Sequence, residues 1–228
     1  MCVTARRAEG EGGGGVKIAV ALLTCDRSEY TARTVRTFIE KNRDLSRFVL
    51  LHGDDGSEDD TNTRIANDAG FTTILRTGER LGWRFSRPPL LDRAARFADW
   101  IFLLENDIES LRPFPWALFD YVRPDPRVYC LRLYGRWKDK ARMDRCLETH
   151  KRKSHQPVEW RALKGAPEAA QIGEIHWSAQ PCVTRSKQIL RLHKNGVEPT
   201  GLTVRVKKNV VSHFGAERTL PRPVEATC

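Results

Sequence analysis

Several things are missing from this chain of 228 residues. No apolar run approaches the roughly eighteen residues that a membrane span requires, and the start, Met1 to Gly15, lacks the apolar stretch of a signal peptide. Both absences predict a cytoplasmic protein with no membrane span, in the host cytoplasm if the source is viral. The six cysteines, at 2, 25, 130, 146, 182 and 228, form no C-x-x-C pair and no regular spacing, which predicts reduced thiols rather than a disulfide framework. Cys146, His150 and His155 have loosely metal-like spacing but no fourth ligand, so they read as loop residues. No internal repeat is present.

What the chain has in excess is positive charge. Against a hydrophobic content of 40%, ordinary for a soluble domain, stands a net charge of +10, which favours a polyanionic partner. The length fits one domain with a substantial core. Residues 1–15 end in four glycines and read as a flexible tail, leaving 16–228 as the folded domain.

Lys17 to Leu23 is continuously apolar, as a parallel strand buried on both faces must be, and polar Thr24-Cys25-Asp26-Arg27 follows it. Ser28 is positioned to cap a helix running to Lys41, with Val35, Phe38 and Ile39 on one side. Phe48 to Leu51 predicts the next strand, 59–69 a helix stopped by Gly70, and Thr72 to Leu75 a third strand. A helix is expected over Leu90 to Ala98, then a strand over 100–104. Beyond Pro115 the pattern loosens. It gives strands over Val128 to Leu133 and Ile175 to Thr184, a helix from Ser186 to His193 and a last strand over Val204 to Val211, with a basic segment of little periodicity across 136–171. The order β-α-β-α-β predicts a doubly wound α/β sheet, mostly parallel and flanked by helices.

The strand over 100–104 ends in Glu105-Asn106-Asp107. Strand alternation predicts Glu105 and Asp107 on one side and Asn106 on the other. Carboxylates beside a buried strand end pair or coordinate, and the carboxyl ends of parallel strands are where open α/β sheets bind ligands. A hard divalent cation carrying a diphosphate suits such an end.

Four segments in order resemble the GT-A glycosyltransferases, especially family-2-like enzymes. Val16 to Tyr30 is similar to that family's opening strand; Asp54-Asp55-Gly56-Ser57 to its D-D-G-S nucleotide motif; Gly70 to Leu81 to its third strand and following loop; and Glu105-Asn106-Asp107 stands in place of its D-x-D signature. The resemblance implies a GT-A (Rossmann-like) fold with residues 16–115 as the nucleotide-sugar half and 116–220 as the acceptor half, carrying a basic insertion. It implies a UDP- or GDP-sugar donor and Mn2+ or Mg2+. Thr24, Arg27, Asp54 and Asp55 would line the nucleotide pocket and Asp107 would hold the metal. Glu105 replaces an aspartate, and its extra methylene leaves open metal contact, a water-mediated role or a ribose contact. His213, in Val211-Ser212-His213-Phe214-Gly215, resembles the strand-end histidine that completes the metal or diphosphate site, with Arg218 near the phosphate. Glu174 is the candidate general base, with His176, Asp139 and Asp144 as open alternatives.

For the acceptor, Lys151, Arg152 and Lys153 concentrate charge in 136–164, and Trp137, with Trp177 further on, offers faces to bases. Small GT-A enzymes that modify hydroxylated pyrimidines in bacteriophage DNA are similarly soluble and basic, so the leading expectation is a hydroxylated pyrimidine in DNA. A polyprenyl phosphate or a polysaccharide would exploit the same charge, but no hydrophobic anchor is visible. Of the other classes, a sugar nucleotidyltransferase would need a glycine-rich loop after the first strand, where Thr24 to Arg27 has no glycine. A noncatalytic nucleic-acid binder would leave the ordered acidic strand ends unexplained.

Overall fold

The computed structural model describes residues 16–133, 161–174, 182–195, 201–206 and 208–213. The chain runs β1 (Ile18–Thr24), α1 (Ser28–Lys41), β2 (Phe48–Asp54), α2 (Thr61–Asp68), β3 (Thr72–Arg76), α3 (Trp83–Ala94), β4 (Trp100–Glu105), β5 (Ile108–Ser110) and α4 (Trp116–Val122). It continues through β6 (Val128–Arg132), β7 (Arg161–Ala162), β8 (Ala170–Glu174), β9 (Cys182–Arg185), α5 (Ser186–Asn195), β10 (Leu202–Val206) and β11 (Val211–His213).

Nine strands form one sheet in the order β3-β2-β1-β4-β9-β6-β10-β8-β7, and β5 and β11 make a separate ribbon. The four strands from β3 to β4 are parallel throughout. Past β4 the sheet becomes mixed: β9 runs antiparallel to both β4 and β6, whereas β6 and β10 are parallel. This is the expected α/β class, a large central sheet flanked by helices.

The continuous apolar run of β1 follows from its central place. All seven of its residues are buried, and alternation sends them to two different cores. Ile18, Val20 and Leu22 pack with Phe38 of α1, Ala66 of α2 and Phe119 of α4. Ala19, Ala21 and Leu23 pack with Leu90, Leu91 and Ala94 of α3 and Ile189 of α5. The first core is rich in rings, with Phe38 set edge-on to Phe48 at 5.4 Å and Phe48 edge-on to Phe114 at 5.7 Å, geometries that align ring edges with ring faces. Arg47 closes its rim, stacked 3.9 Å from the Trp116 ring and bidentate to Asp120 at 2.9 and 2.7 Å. That double hydrogen bond holds the Asp120 carboxyl below its ordinary range.

Four local expectations are corrected. Ser28 is the first residue of α1 rather than its cap. The cap position falls to Arg27, whose backbone is left-handed and gives no side-chain cap. α3 begins at Trp83, seven residues before the expected start, and contains Pro88 and Pro89. Proline's fixed φ is helical, so what each ring forfeits is an N–H bond and clearance from the preceding turn. The helix also ends early: Arg96 and Phe97 donate to the carbonyls of Arg93 and Ala94, closing the chain into a turn where the helix was expected to run on. β2 extends through His52 and Gly53 to Asp54, because these polar residues are themselves buried in the sheet. The single last strand is two. β10 stays in the main sheet, while β11 leaves it to pair antiparallel with β5, the Arg112 guanidinium bonding the Lys208 and Asn209 carbonyls at the crossing. Of the strand expected over Ile175 to Thr184, β9 accounts for the end; 175–181 lie outside the described residues.

Candidate active site

The carboxyl ends of β1, β2 and β4 lie side by side, Leu23 in register with Gly53 on one side and Glu105 on the other. Above them opens a cleft of about 360 Å³, bordered by Thr24, Arg27, Asp55, Glu105 and Asp107 among others. Five residues singled out from separate stretches of sequence therefore meet in one place. Another cleft, of about 410 Å³, lies between α1 and β5 and is bordered by none of them.

The chain must turn from β1 into α1 within three residues, and it does so through Asp26 and Arg27, both at φ 47°. Non-glycine residues persist in this region only when their surroundings fix them. Here the Asp26 N–H donates to Ser57 Oγ at 2.9 Å, the Asp26 carbonyl accepts from Asn62 Nδ2 at 2.9 Å, and Asp26 Oδ1 accepts from the Glu58 N–H at 3.1 Å. The turn after β1 is thus tied to the turn after β2. Arg27, pinned in this bend, lays its guanidinium 4.8 Å from the Tyr30 ring centre.

The two aspartates of the Asp54-Asp55-Gly56-Ser57 turn do different work. Asp54 is fully buried. Its Oδ1 accepts from the Ser57 N–H at 2.8 Å and its Oδ2 from the Ser57 hydroxyl at 2.9 Å, closing the turn on itself. Asp55, also buried, turns to the loop after β3, accepting from the N–H of Leu81 at 3.0 Å and of Gly82 at 2.9 Å. It fixes the far wall of the cleft. Gly56, at φ 65°, has no room for a side chain, since a Cβ would come within 2.1 Å of the Glu79 carbonyl carbon.

Behind this turn His52 is wholly buried, with Nε2 2.9 Å from Thr24 Oγ1 and Nδ1 2.9 Å from Thr73 Oγ1. Burial pushes its pKa down to about 4, with the Asp54 charge acting in the opposite sense. The imidazole is therefore neutral at pH 7. Below its ordinary value of 6.5 the unfolded chain takes up a proton that the native state refuses until about pH 4, so stability is full above pH 6.5 and is withdrawn as pH falls. The loss should reach about 3 kcal/mol by pH 4. Urea unfolding between pH 7 and 4 measures it. The His52→Gln variant should lose that slope, and an unchanged slope would place its origin elsewhere.

Beyond β4 the strict alternation ends. Asn106 and Asp107 form a turn into β5, and both residues border the cleft together with Glu105, contrary to the expectation that Asn106 points away. The Asn106 carbonyl accepts from Thr34 Oγ1 at 2.9 Å, which anchors the turn to α1. Glu105 is ion-paired to Arg87 of α3. Arg87 is 3% exposed, with its guanidinium 4.6 Å from the Trp83 ring centre and its Nε and Nη1 buried without a hydrogen-bond partner among the described residues. Asp107, half-buried, is followed directly by Ile108, whose backbone is in register with His213 of β11. The β5–β11 ribbon therefore brings the backbone of His213 beside the acidic turn.

Cys25 also borders the cleft, and burial pushes its thiol up to about 11, so it is not a thiolate nucleophile at neutral pH. Among the described residues no three His, Cys, Asp or Glu side chains form a metal cage. An octahedral cation held by one or two protein carboxylates and by substrate phosphate oxygens needs no such cage, and Asp107 fits that smaller demand. Glu174, the expected general base, ends β8 with its backbone opposite Leu202 at the start of β10. Because β10 runs parallel to β6 and, through β9, to β4, this is the amino end of the parallel strands, and the structure does not bring Glu174 to the cleft at their carboxyl ends. Arg218, Trp137, Lys151, Arg152, Lys153 and Trp177 lie outside the described residues.

Sequence reasoning missed Arg87, Trp83 and Phe85. All three belong to the start of α3, which the prolines disguised; the one available signal was the density of arginine and aromatic residues in Arg80-Leu81-Gly82-Trp83-Arg84-Phe85.

The chain matches no protein-family model and no curated protein sequence. Its fold does match solved structures. A mannosyltransferase from Pyrobaculum calidifontis, PcManGT, solved in complex with GDP-Man and Mn2+, is 16% identical over 77% of this chain and 46% of its own, with a TM-score of 0.50. A mycobacterial protein is 16% identical over 92% of this chain and 69% of its own, with a TM-score of 0.51. TarS residues 1–349 from S. aureus is 10% identical over 86% of this chain and 60% of its own, with a TM-score of 0.53. The chain thus spans about half the length of the mannosyltransferase and somewhat more of TarS. Among the described residues no helix is long and apolar enough to cross a membrane. The nine-stranded sheet, with its cleft at the carboxyl ends of β1, β2 and β4, has the GT-A-like fold of the mannosyltransferase and of TarS.

Proposed function

We propose that the protein is a metal-dependent glycosyltransferase that moves a sugar from a nucleotide-sugar donor to a hydroxyl acceptor. The observation that carries this reading is the meeting of Asp55, Glu105 and Asp107 at one cleft over the parallel strand ends. A neighbour of the same fold, the mannosyltransferase solved with GDP-Man and Mn2+, supports it.

Asp107 would hold the divalent cation, Mn2+ or Mg2+, with His213 completing the site from β11. When bound, that cation neutralises charge on the departing diphosphate. Thr24, Arg27 and Asp55 would border the nucleotide of a UDP- or GDP-sugar, with Arg218 near its phosphates, while Asp54, expected to join them, is fully buried and holds the turn closed from behind. Glu105, committed to Arg87, acts as that cation's counterion and positions it rather than ligating metal. In transfer the acceptor oxygen forms a bond to the anomeric carbon, the bond from that carbon to the diphosphate oxygen breaks, and the electron pair leaves with the nucleoside diphosphate. The acceptor's proton passes to a general base, and with Glu174 placed at the opposite end of the sheet, His176, Asp139 and Asp144 are the candidates for it.

For the acceptor we propose a hydroxylated pyrimidine in DNA, of the kind modified in bacteriophage genomes. The support is the net charge of +10 and the basic segment 136–164, with Trp137 and Trp177 as stacking faces. Phosphate contacts release counterions, so affinity for duplex DNA should fall with salt at a log-log slope of about −0.9 per contacted phosphate. Replacing Lys151, Arg152 and Lys153 together with alanine should flatten that slope by about two to three contacts. A slope the triple variant leaves unchanged removes this segment from the DNA contact. In the same preparation, isothermal titration of GDP and UDP with and without Mn2+ tests the donor half: binding in neither condition contradicts it.

A further inference from the structure

The structure exposes an apolar rim that the sequence did not reveal. At the mouth of the cleft Leu81, Trp83 and Phe85 are 41%, 60% and 66% exposed, half of the large hydrophobic side chains exposed among the described residues. Arg80 and Arg84 alternate with them and also border the cleft. The Trp83 ring is backed by the buried Arg87 guanidinium, which is itself ion-paired to Glu105. One ring face is thus fixed, while the rest of the indole stays open to solvent.

We propose that Trp83 and Phe85 form the acceptor platform of the cleft and take a nucleobase presented by a nucleic-acid strand, with Arg80 and Arg84 meeting its flanking phosphates. This rests on the glycosyltransferase reading above and names the acceptor side of that same site. Exposed aromatic rings interleaved with arginines are how proteins hold single-stranded or extruded bases, since every base has a stacking face and every linkage a charge. A base stacked at the mouth would turn its exocyclic hydroxyl into the cleft, where donor and metal are held, and extrusion from a duplex would supply such a base. The extent of the patch separates this from insertion into a lipid surface. Apolar exposure stops after Phe85, because Ser86, Leu90, Leu91 and Ala94 of the same helix are buried. The patch is one turn long, room for one or two rings, whereas an interfacial helix presents an apolar stripe along its length.

Fluorescence anisotropy with a labelled single-stranded pyrimidine oligonucleotide tests the platform. Trp83→Ala and Phe85→Ala should each weaken binding about tenfold, and Trp83→Phe should restore most of the loss. Melting temperature, measured on each variant, identifies any that fails to fold, and exposed Phe85 serves as the second site if Trp83→Ala does. Folded alanine variants that bind the oligonucleotide as wild type does would overturn the proposal. So would a wild type that ignores the oligonucleotide yet sediments with phosphatidylglycerol vesicles through Trp83, which would assign the rim to lipid. Wild-type binding of GDP or UDP with Mn2+, measured in parallel, reports separately on the donor reading, since its absence contradicts that reading whatever the oligonucleotide does.

Discussion

Asp107→Asn should fold as the wild type does and lose donor turnover by roughly a thousandfold. The substitution preserves the shape of the side chain and its place in the turn between β4 and β5. It removes the negative charge that a hard cation requires, and with it the means of neutralising a diphosphate as it leaves. Glu105 cannot take over, because its carboxylate is paired to Arg87. Glu105→Gln should therefore behave differently: Mn2+-dependent nucleotide affinity should persist, while stability falls because the Arg87 guanidinium is left buried without its counterion. Melting curves together with coupled detection of the released nucleoside diphosphate separate the two. Equal loss of nucleotide affinity in both variants would show that Glu105 is a metal ligand after all.

The largest loss of stability is expected at Gly56→Ala. The new Cβ would lie 2.1 Å from the Glu79 carbonyl carbon and 2.3 Å from the Arg80 nitrogen, both of them backbone, in a residue at φ 65°. No side-chain rotation relieves such a contact. The Asp54–Ser57 turn must move away from the loop after β3, which breaks the pair of N–H bonds by which Asp55 holds Leu81 and Gly82. We expect a cost of about 4 kcal/mol, summing backbone strain with the lost buried hydrogen bonds. For a domain of this size that lowers the melting temperature by roughly 10 °C. Nucleotide affinity should fall with it, since the same turn borders the cleft. A variant that melts within a degree or two of wild type would show that this wall yields without cost.

Much of the donor half was legible because its signals are local. β1 is apolar from Ile18 to Leu23 because it is covered on both faces, and the apolar runs of β2 and β4 end in carboxylates. α1 was placed to within one residue at its start and ended at Lys41 as expected, even though Ser28 does not cap it. What escaped was set by tertiary contacts. Arg87 looks like any surface arginine until Glu105, eighteen residues later, is placed beside it, and Pro88-Pro89 reads as a break in what is a helix interior. Asp55 reads as a ligand-binding carboxylate, but the backbone N–H groups it accepts from carry no trace in sequence. The split of the last strand between two sheets likewise depends on a pairing with β5 about a hundred residues earlier.

The most direct measurement of the central claim is mass gain on an acceptor. The protein is incubated with Mn2+ and a pool of UDP- and GDP-sugars, in parallel with hydroxymethylpyrimidine DNA, unmodified DNA and a polyprenyl phosphate, and each product is weighed. The account predicts a gain of one glycosyl residue on the hydroxylated DNA, abolished by EDTA and by Asp107→Asn. Gain on the lipid alone would contradict the nucleic-acid acceptor and leave sugar transfer standing; gain undiminished by EDTA would contradict the metal-dependent chemistry on which the account rests.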